Sequence, residues 1–566
     1  MKLFSILPLL FFLSFTLSGV TNAQTQTADP DNAELYEFGS TITSEFLKSH
    51  MSALVHDSLR GRDTGTDGLK KAARYLSNYY QRLGVAPAGD RGSYYQFFDL
   101  NSTVTDSLVY NTYRDEDGEP VLVNKSVEKD GVRSDYIRMF GGSVPIEAEI
   151  VFAGFGVNDT ERGVRHLEGD SLRGKWVMVF EEIPHVVNGD TLIDTRFDAR
   201  SRLGTLLRNY GARGVLLISD MNENEFAELA ETSAGMVSQP SNLRLSYRDQ
   251  GASPQGFPFG YKQISPDLAA ELLNVDGFEG LETLRMNLIE NIREFRAEAT
   301  GYSLEYTPYS GDKTIQTKNV IAFHEGGHPE LKEEVVVLMA HYDHIGVGTP
   351  NDAGDGIYNG ADDNGSGTTA LMGIARALNQ AAENGYRPDR SVLFLHVSAE
   401  EVGLLGSRYY SDHPVVPIEQ TVAALNADMI GRSDTEHAAT GDTDYVYLIG
   451  GEIISSQLDS LIADANSEEI NLRLDRRYND LTDSNQFYRR SDHWNFGRLG
   501  VPFAFYFTGV HEDYHQPSDH IEKIDFDKFP RVVRLIYNST INIANFDGSP
   551  EVDNQQFIEI TGVETR

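Results

Sequence analysis

Five short segments of the chain bring imidazole and carboxylate side chains together. They are His341-Tyr342-Asp343-His344, Gly360-Ala361-Asp362-Asp363-Asn364-Gly365-Ser366-Gly367, Ala399-Glu400-Glu401-Val402-Gly403, Asn426-Ala427-Asp428-Met429-Ile430-Gly431 and His511-Glu512-Asp513-Tyr514-His515-Gln516-Pro517-Ser518-Asp519. Nitrogen and oxygen donors without a thiolate suit zinc, and two such ions held close together need a carboxylate that both share. Each segment also has an ordinary explanation: His341 as a surface imidazole, Asp363 as a turn former, Glu400 and Glu401 as a solvated helix start, Asp428 as a helix cap. Jointly those explanations fail. The groups follow apolar runs that read as buried strands, where acidic and imidazole side chains need partners or a metal ion.

A sixth segment, His324-Glu325-Gly326-Gly327-His328, satisfies a different zinc pattern, H-E-x-x-H. That pattern works only when both imidazoles lie on one helical face. Here a β-like run precedes it, two glycines fill its middle and Pro329 follows. Glycine costs a helix about 1 kcal/mol per residue and proline cannot continue one. The segment reads as a turn.

The elements that must position the five segments alternate. From residue 319 onward, strands are expected at 319–323, 335–340, 391–398, 422–429, 445–449 and 501–507, with helices at 367–380, 453–465 and 526–543. Near-continuous apolar strands alternating with helices predict an α/β fold, a mostly parallel central sheet with helices on both faces. In such sheets functional residues collect at the carboxyl ends of the strands, where these segments fall. Upstream, residues 42–83 read as two helical pieces broken at the glycine-rich stretch 60–68. Around residue 144 the texture changes to short β-rich runs, such as 149–153, 176–180 and 214–219, with a helical stretch near 200–210. The expected division is a leader at 1–23, a first part of the main domain at 24–140, a smaller β-rich insert at 141–298, the rest of the main domain at 299–548 and a tail at 549–566.

Composition narrows the class. The 566 residues are 40% hydrophobic and 23% charged, enough for more than one folding unit. The net charge of −37 argues against nucleic acid or an anionic membrane as partner, since both need a cationic patch. Lys2, the apolar run 3–17 and Thr21-Asn22-Ala23 before Gln24 read as a cleavable secretory signal, too short for a membrane span. The expected location is secreted or periplasmic. With no cysteine, disulfides, thiolate ligands and a catalytic thiol are excluded. Phosphate-loop, nucleophile-elbow and dinucleotide signatures are absent.

In this order, the five segments resemble metallopeptidase family twenty-eight of clan MH, whose members include aminopeptidases, glutamate carboxypeptidase, glutaminyl cyclases and a non-catalytic receptor. The insert resembles, more weakly, the protease-associated domain often found there. The resemblance implies two zinc ions bridged by Asp363, with His341 and Asp428 completing one and Glu401 and His515 the other. It implies Glu400 as the general base, Asp343 as the carboxylate that orients His341, and Tyr514 as the donor to the developing oxyanion. It further implies a cis peptide between Asp363 and Asn364.

The expected activity is that of a secreted zinc exopeptidase taking residues from the amino ends of peptides. Two alternatives stay open. A carboxypeptidase for acidic substrates would need several arginines in the pocket, drawn from Arg432, Arg489, Arg490 or Arg498. A glutaminyl cyclase would use one zinc ion, and the insert argues mildly against it.

Overall fold

The computed structural model describes residues 32–563, apart from 130, 131, 133, 235–240, 249–258, 349, 352 and 467–468. The leader expected at 1–23 lies outside the described residues. Two helices open the main domain: α1 (Ser44–Leu54) and α2 (Asp67–Leu83). Each starts after a threonine, Thr43 or Thr66, whose side chain accepts from the backbone N–H three residues on. α2 stops at Gly84, which takes the left-handed conformation that glycine adopts freely. Its apolar face (Leu69, Ala72, Ala73, Leu76, Tyr80) is buried in the main core.

One continuous sheet organises the molecule. Its principal strands are β1 (Tyr95–Glu116), β2 (Ile146–Phe152), β3 (Trp176–Phe180), β4 (Gly214–Ile218), β5 (Gly260–Ile264), β6 (Glu298–His324), β7 (Val335–His341), β8 (Ser391–Val397), β9 (Thr421–Ala427), β10 (Tyr445–Gly450) and β11 (Phe503–Phe507). Their order is β10-β11-β9-β7-β8-β6-β2-β3-β4-β5. β7 runs parallel to both β8 and β9, and β9 parallel to β11. Every residue of β7, β8 and β9 is buried, which is why these strands read as unbroken apolar runs. Helices α3 (Gly367–Glu383) and α5 (Phe529–Ala544) pack with α1 and α2 on one face. Tyr410 of α4 (Leu405–Asp412), Phe496 and Phe557 cover the other. The expected α/β architecture is present.

The stretch expected as an insert is tied to the main sheet through β6. β6 is 27 residues long. Its last five residues pair with β8, its first part with β2, and most of its length with β1. The strand Tyr136–Gly141 pairs with β5. Residue 141 therefore marks no break in the sheet, which runs through both parts along the β1–β6 ribbon. The stretch 549–566 carries a helix, Gln555–Thr561, whose Phe557 is buried against Phe503. Among the described residues, no helix is long and apolar enough to cross a membrane.

Candidate metal centre

The carboxyl ends of three adjacent parallel strands supply most of the site. His341 is the last residue of β7, Glu400 and Glu401 lie in the turn after β8, and Asp428 follows β9. Asp363 lies in the turn ahead of α3, and His515 in the loop after β11. These side chains converge. Asp363 Oδ1 is 3.2 Å from His341 Nε2, which is also 3.3 Å from Asp428 Oδ1. Asp363 Oδ2 is 3.2 Å from His515 Nε2, itself 3.2 Å from Glu401 Oε2. The two oxygens of one carboxylate thus face two separate imidazole–carboxylate sets.

The chain around Asp363 holds that aim. Asp519 Oδ2 accepts from the backbone N–H groups of Asp362 at 2.9 Å and Asp363 at 3.1 Å. The Asp363–Asn364 peptide is cis, as the resemblance implies. Asn364 donates to Ala427 O at 3.0 Å and accepts from Gly367 N at 2.8 Å, tying the turn to the end of β9. Gly367 must be glycine here, because a Cβ would stand 2.0 Å from Ala427 O.

Asp343 lies between His341 and the turn after β8. His341 Nδ1 lies 3.2 Å from the backbone oxygen of Asp343 and 3.9 Å from its carboxylate. The carboxylate instead accepts from Glu400 N at 3.3 Å, Glu401 N at 3.4 Å and Thr64 Oγ1 at 3.3 Å. Its main geometric work is to fix the turn that carries the two glutamates. Glu400 Oε2 stands 4.0 Å from His341 Nε2. Burial pushes the Glu400 carboxyl well above the usual carboxylate range; His341 opposes the shift, while Glu401, Asp492 and Asp428 add to it.

Residues 319–540 match a family model described as "Peptidase family M28". The matched segment is 222 of the chain's 566 residues and contains every side chain of the centre described above. Over 273 residues the chain is 26% identical to aminopeptidase Y of Saccharomyces cerevisiae, covering 46% of this chain and 45% of that one. Over 219 residues it is 32% identical to the probable leucine aminopeptidase 2 of Aspergillus oryzae, covering 38% of each. The chain therefore spans about half or less of the length of these curated relatives. A solved aminopeptidase from Aneurinibacillus sp. strain AM-1 aligns at 18% identity with a TM-score of 0.47, covering 92% of this chain and 98% of that one.

Around this centre stand residues to which the sequence reading gave no role. His344 is buried and its Nδ1 lies 2.6 Å from Glu401 Oε1 and 3.8 Å from Asp363 Oδ2. Ser491 donates to Asp428 Oδ2 at 2.7 Å. Arg62, from the 60–68 stretch, is buried and donates to the carbonyl oxygens of Tyr342, Leu54, Asn359 and Gly360. It clamps the His341 loop to the turn that leads to Asp363.

The cavity at this centre has an aromatic wall of Phe487, Phe505 and Phe507, with Tyr514 stacked on His515 at 3.8 Å between ring centroids. Burial raises the Tyr514 phenol far above its usual range, and Asp363, Glu401 and Asp428 reinforce this, so it stays a hydrogen-bond donor. Of the four arginines considered above, only Arg490 lines this cavity. Arg432 donates to Asp513 at 2.8 Å, Arg498 donates to Ser411 Oγ at 2.7 Å, and Arg489 bonds Gln486. His324 ends β6, and His328 accepts from the backbone at Glu330 and Leu331. Among the described residues neither joins a group close enough to hold an ion.

Proposed function

We propose that the chain is a zinc-dependent aminopeptidase that removes single residues from the amino ends of peptides. The observation that carries this reading is Asp363, whose two oxygens face the His341–Asp428 and Glu401–His515 pairs with Glu400 alongside. The donor set fits zinc: nitrogen and oxygen only, buried, with one carboxylate placed to be shared. His341 and Asp428 would hold one ion, Glu401 and His515 a second, and Asp363 both. Zinc bound there supplies Lewis acidity and makes water more acidic.

The protein's own groups do the rest. Glu400 takes the proton of the attacking water and returns it to the leaving amine. Tyr514 donates a hydrogen bond to the oxygen on which charge develops, a contribution of about 3 kcal/mol when well aimed. His344 and Ser491 hold Glu401 and Asp428 in place. The aromatic wall takes the side chain of the terminal residue. Four clustered carboxylates attract an α-ammonium, and a single arginine, Arg490, offers no double carboxylate grip of the kind an acidic-substrate carboxypeptidase needs. The printed names of the relatives agree with an amino-end activity.

The test compares leucyl-peptides with free and acetylated amino ends. Cleavage of the free form alone is expected. Cleavage that survives acetylation and is lost on carboxyl amidation would replace this reading with the carboxypeptidase.

A further inference from the structure

A second cavity of about 470 Å³ lies beside the first and plays no part in the chemistry above. Three arginines line it: Arg244 and Arg248 from the segment after the insert strand Ser241–Leu245 begins, and Arg408 from α4. Two of them, Arg248 and Arg408, meet the carboxylate of Asp412, which Arg498 also reaches from outside the cavity wall. The carboxylate accepts from Arg248 Nε at 2.8 Å and Arg408 Nε at 3.3 Å, and from Arg498 Nη2 at 3.4 Å. Among the described residues, Arg248, Arg408 and Arg498 share no other ion pair, so one negative charge faces three positive ones. Burial, and next the repulsion of Arg408, pull the Arg498 guanidinium below its usual range. In a chain of net charge −37 this is a local reversal of sign. Apart from Asn495, the rest of the wall is apolar, with Leu404, Leu405 and the half-buried Trp494.

The two cavities share their dividing wall. The turn after β8 gives Glu400 and Glu401 to the metal centre and Gly403 and Leu404 to the arginine cavity. The segment 487–495 gives Phe487 and Arg490 to the first, Trp494 and Asn495 to the second. Glu401 and Leu404 are three residues apart, so their Cα atoms are separated by at most about 11 Å, which an extended peptide of three or four residues spans.

We propose that the arginine cavity is an accessory site for a carboxylate carried beside an apolar side chain, and that it holds the downstream part of a peptide whose amino end is at the metal centre. This rests on the aminopeptidase reading. Guanidinium groups bind carboxylates through paired N–H donors, and Trp494 with Leu404 and Leu405 covers the neighbouring apolar side chain. The carboxylate is either the terminal one of a short peptide or an Asp or Glu side chain of a longer one.

The experiment measures KM for Leu-Gly-Gly-Leu as free acid, for its carboxyl amide and for Leu-Gly-Asp-Leu amide, with leucine nitroanilide as the probe that lacks a carboxylate. One charge-assisted contact predicts a KM about tenfold lower for the carboxylate-bearing peptides than for the plain amide. Arg408→Gln and, separately, Arg248→Gln should erase that gap while leaving nitroanilide turnover unchanged. The free acid alone showing the gain identifies a terminal carboxylate as the source, and the Asp peptide alone a side chain. Trp494 is one of two tryptophans in the chain, and the other, Trp176, is fully buried in the insert. Its fluorescence, titrated with acetyl-Gly-Asp-Leu amide, reads the cavity without catalysis. Equal KM values for all three peptides together with no Trp494 response would overturn the proposal. A fluorescence response in a protein that cleaves none of these substrates would instead count against the aminopeptidase reading.

Discussion

At the scale of single residues, adjacent glutamates carry different tasks because a turn points them apart. Glu401 contacts His344 and His515 beside Asp363, whereas Glu400 faces His341 from the cavity side. Glu401→Gln should lower zinc occupancy, since a neutral amide is a poorer ligand for a cation. Glu400→Gln should keep its metal and lose about 10²–10⁴-fold in kcat with KM little changed, because the amide keeps the shape but accepts no proton. Elemental analysis beside steady-state kinetics checks both. Metal lost from the Glu400 variant, with an active and fully metallated Glu401 variant, would reverse the roles. The residues now at the centre were legible as candidates because a polar group directly after a buried strand is conspicuous. Ser491 and Arg62 were not. Their importance comes from which backbone groups or ligands they reach, and nothing in an isolated serine or arginine announces a partner some 60 or 280 residues away.

At the scale of elements, legibility followed burial pattern. The strands β7, β8 and β9 are buried on both faces and were visible as apolar runs. β1 and the first two thirds of β6 are half-solvated and polar, and they were missed, although they tie the insert to the main sheet. The same burial sets an acid sensitivity. His324, His396 and His493 are buried, and desolvation pulls their imidazoles down to about 4, 3 and 3. In the unfolded chain each titrates near 6.5. Between pH 6.5 and about 4 the unfolded state therefore binds protons that the native state refuses. Stability is flat with respect to these groups above pH 6.5 and falls below it, by up to about 1.4 kcal/mol per pH unit for each histidine. Urea unfolding at pH 7.5 and pH 5 measures the loss. His396→Gln, which keeps an acceptor for Tyr80, should lower the slope by about one proton. An unchanged slope would show that His396 titrates normally in the native protein.

At the scale of the whole molecule, metal and fold are linked through charge. Asp363, Glu400, Glu401 and Asp428 crowd the centre of a chain that already carries −37, with Asp343 and Asp492 buried close by. Like-charged carboxylates in a poorly solvated site repel, and divalent cations relieve that repulsion only in the folded state, where the ligands are assembled. Chelation should therefore lower the thermal midpoint as well as abolish activity, and zinc should restore both. A single site saturated to a hundred times its dissociation constant adds about 2.7 kcal/mol, so two sites give a clear shift. The shared position of Asp363 makes the effect unequal among ligands. Wild type should hold about two zinc ions, Asp428→Asn about one, and Asp363→Asn fewer than either, because its carboxylate serves both sets. Midpoint shifts on zinc addition should follow the same order. One ion in active wild-type protein would remove the bridging role from Asp363 and favour the single-zinc cyclase alternative. Two ions that leave the thermal midpoint unmoved would show that the unfolded chain binds zinc as tightly as the folded one, which would break the link between metal and fold.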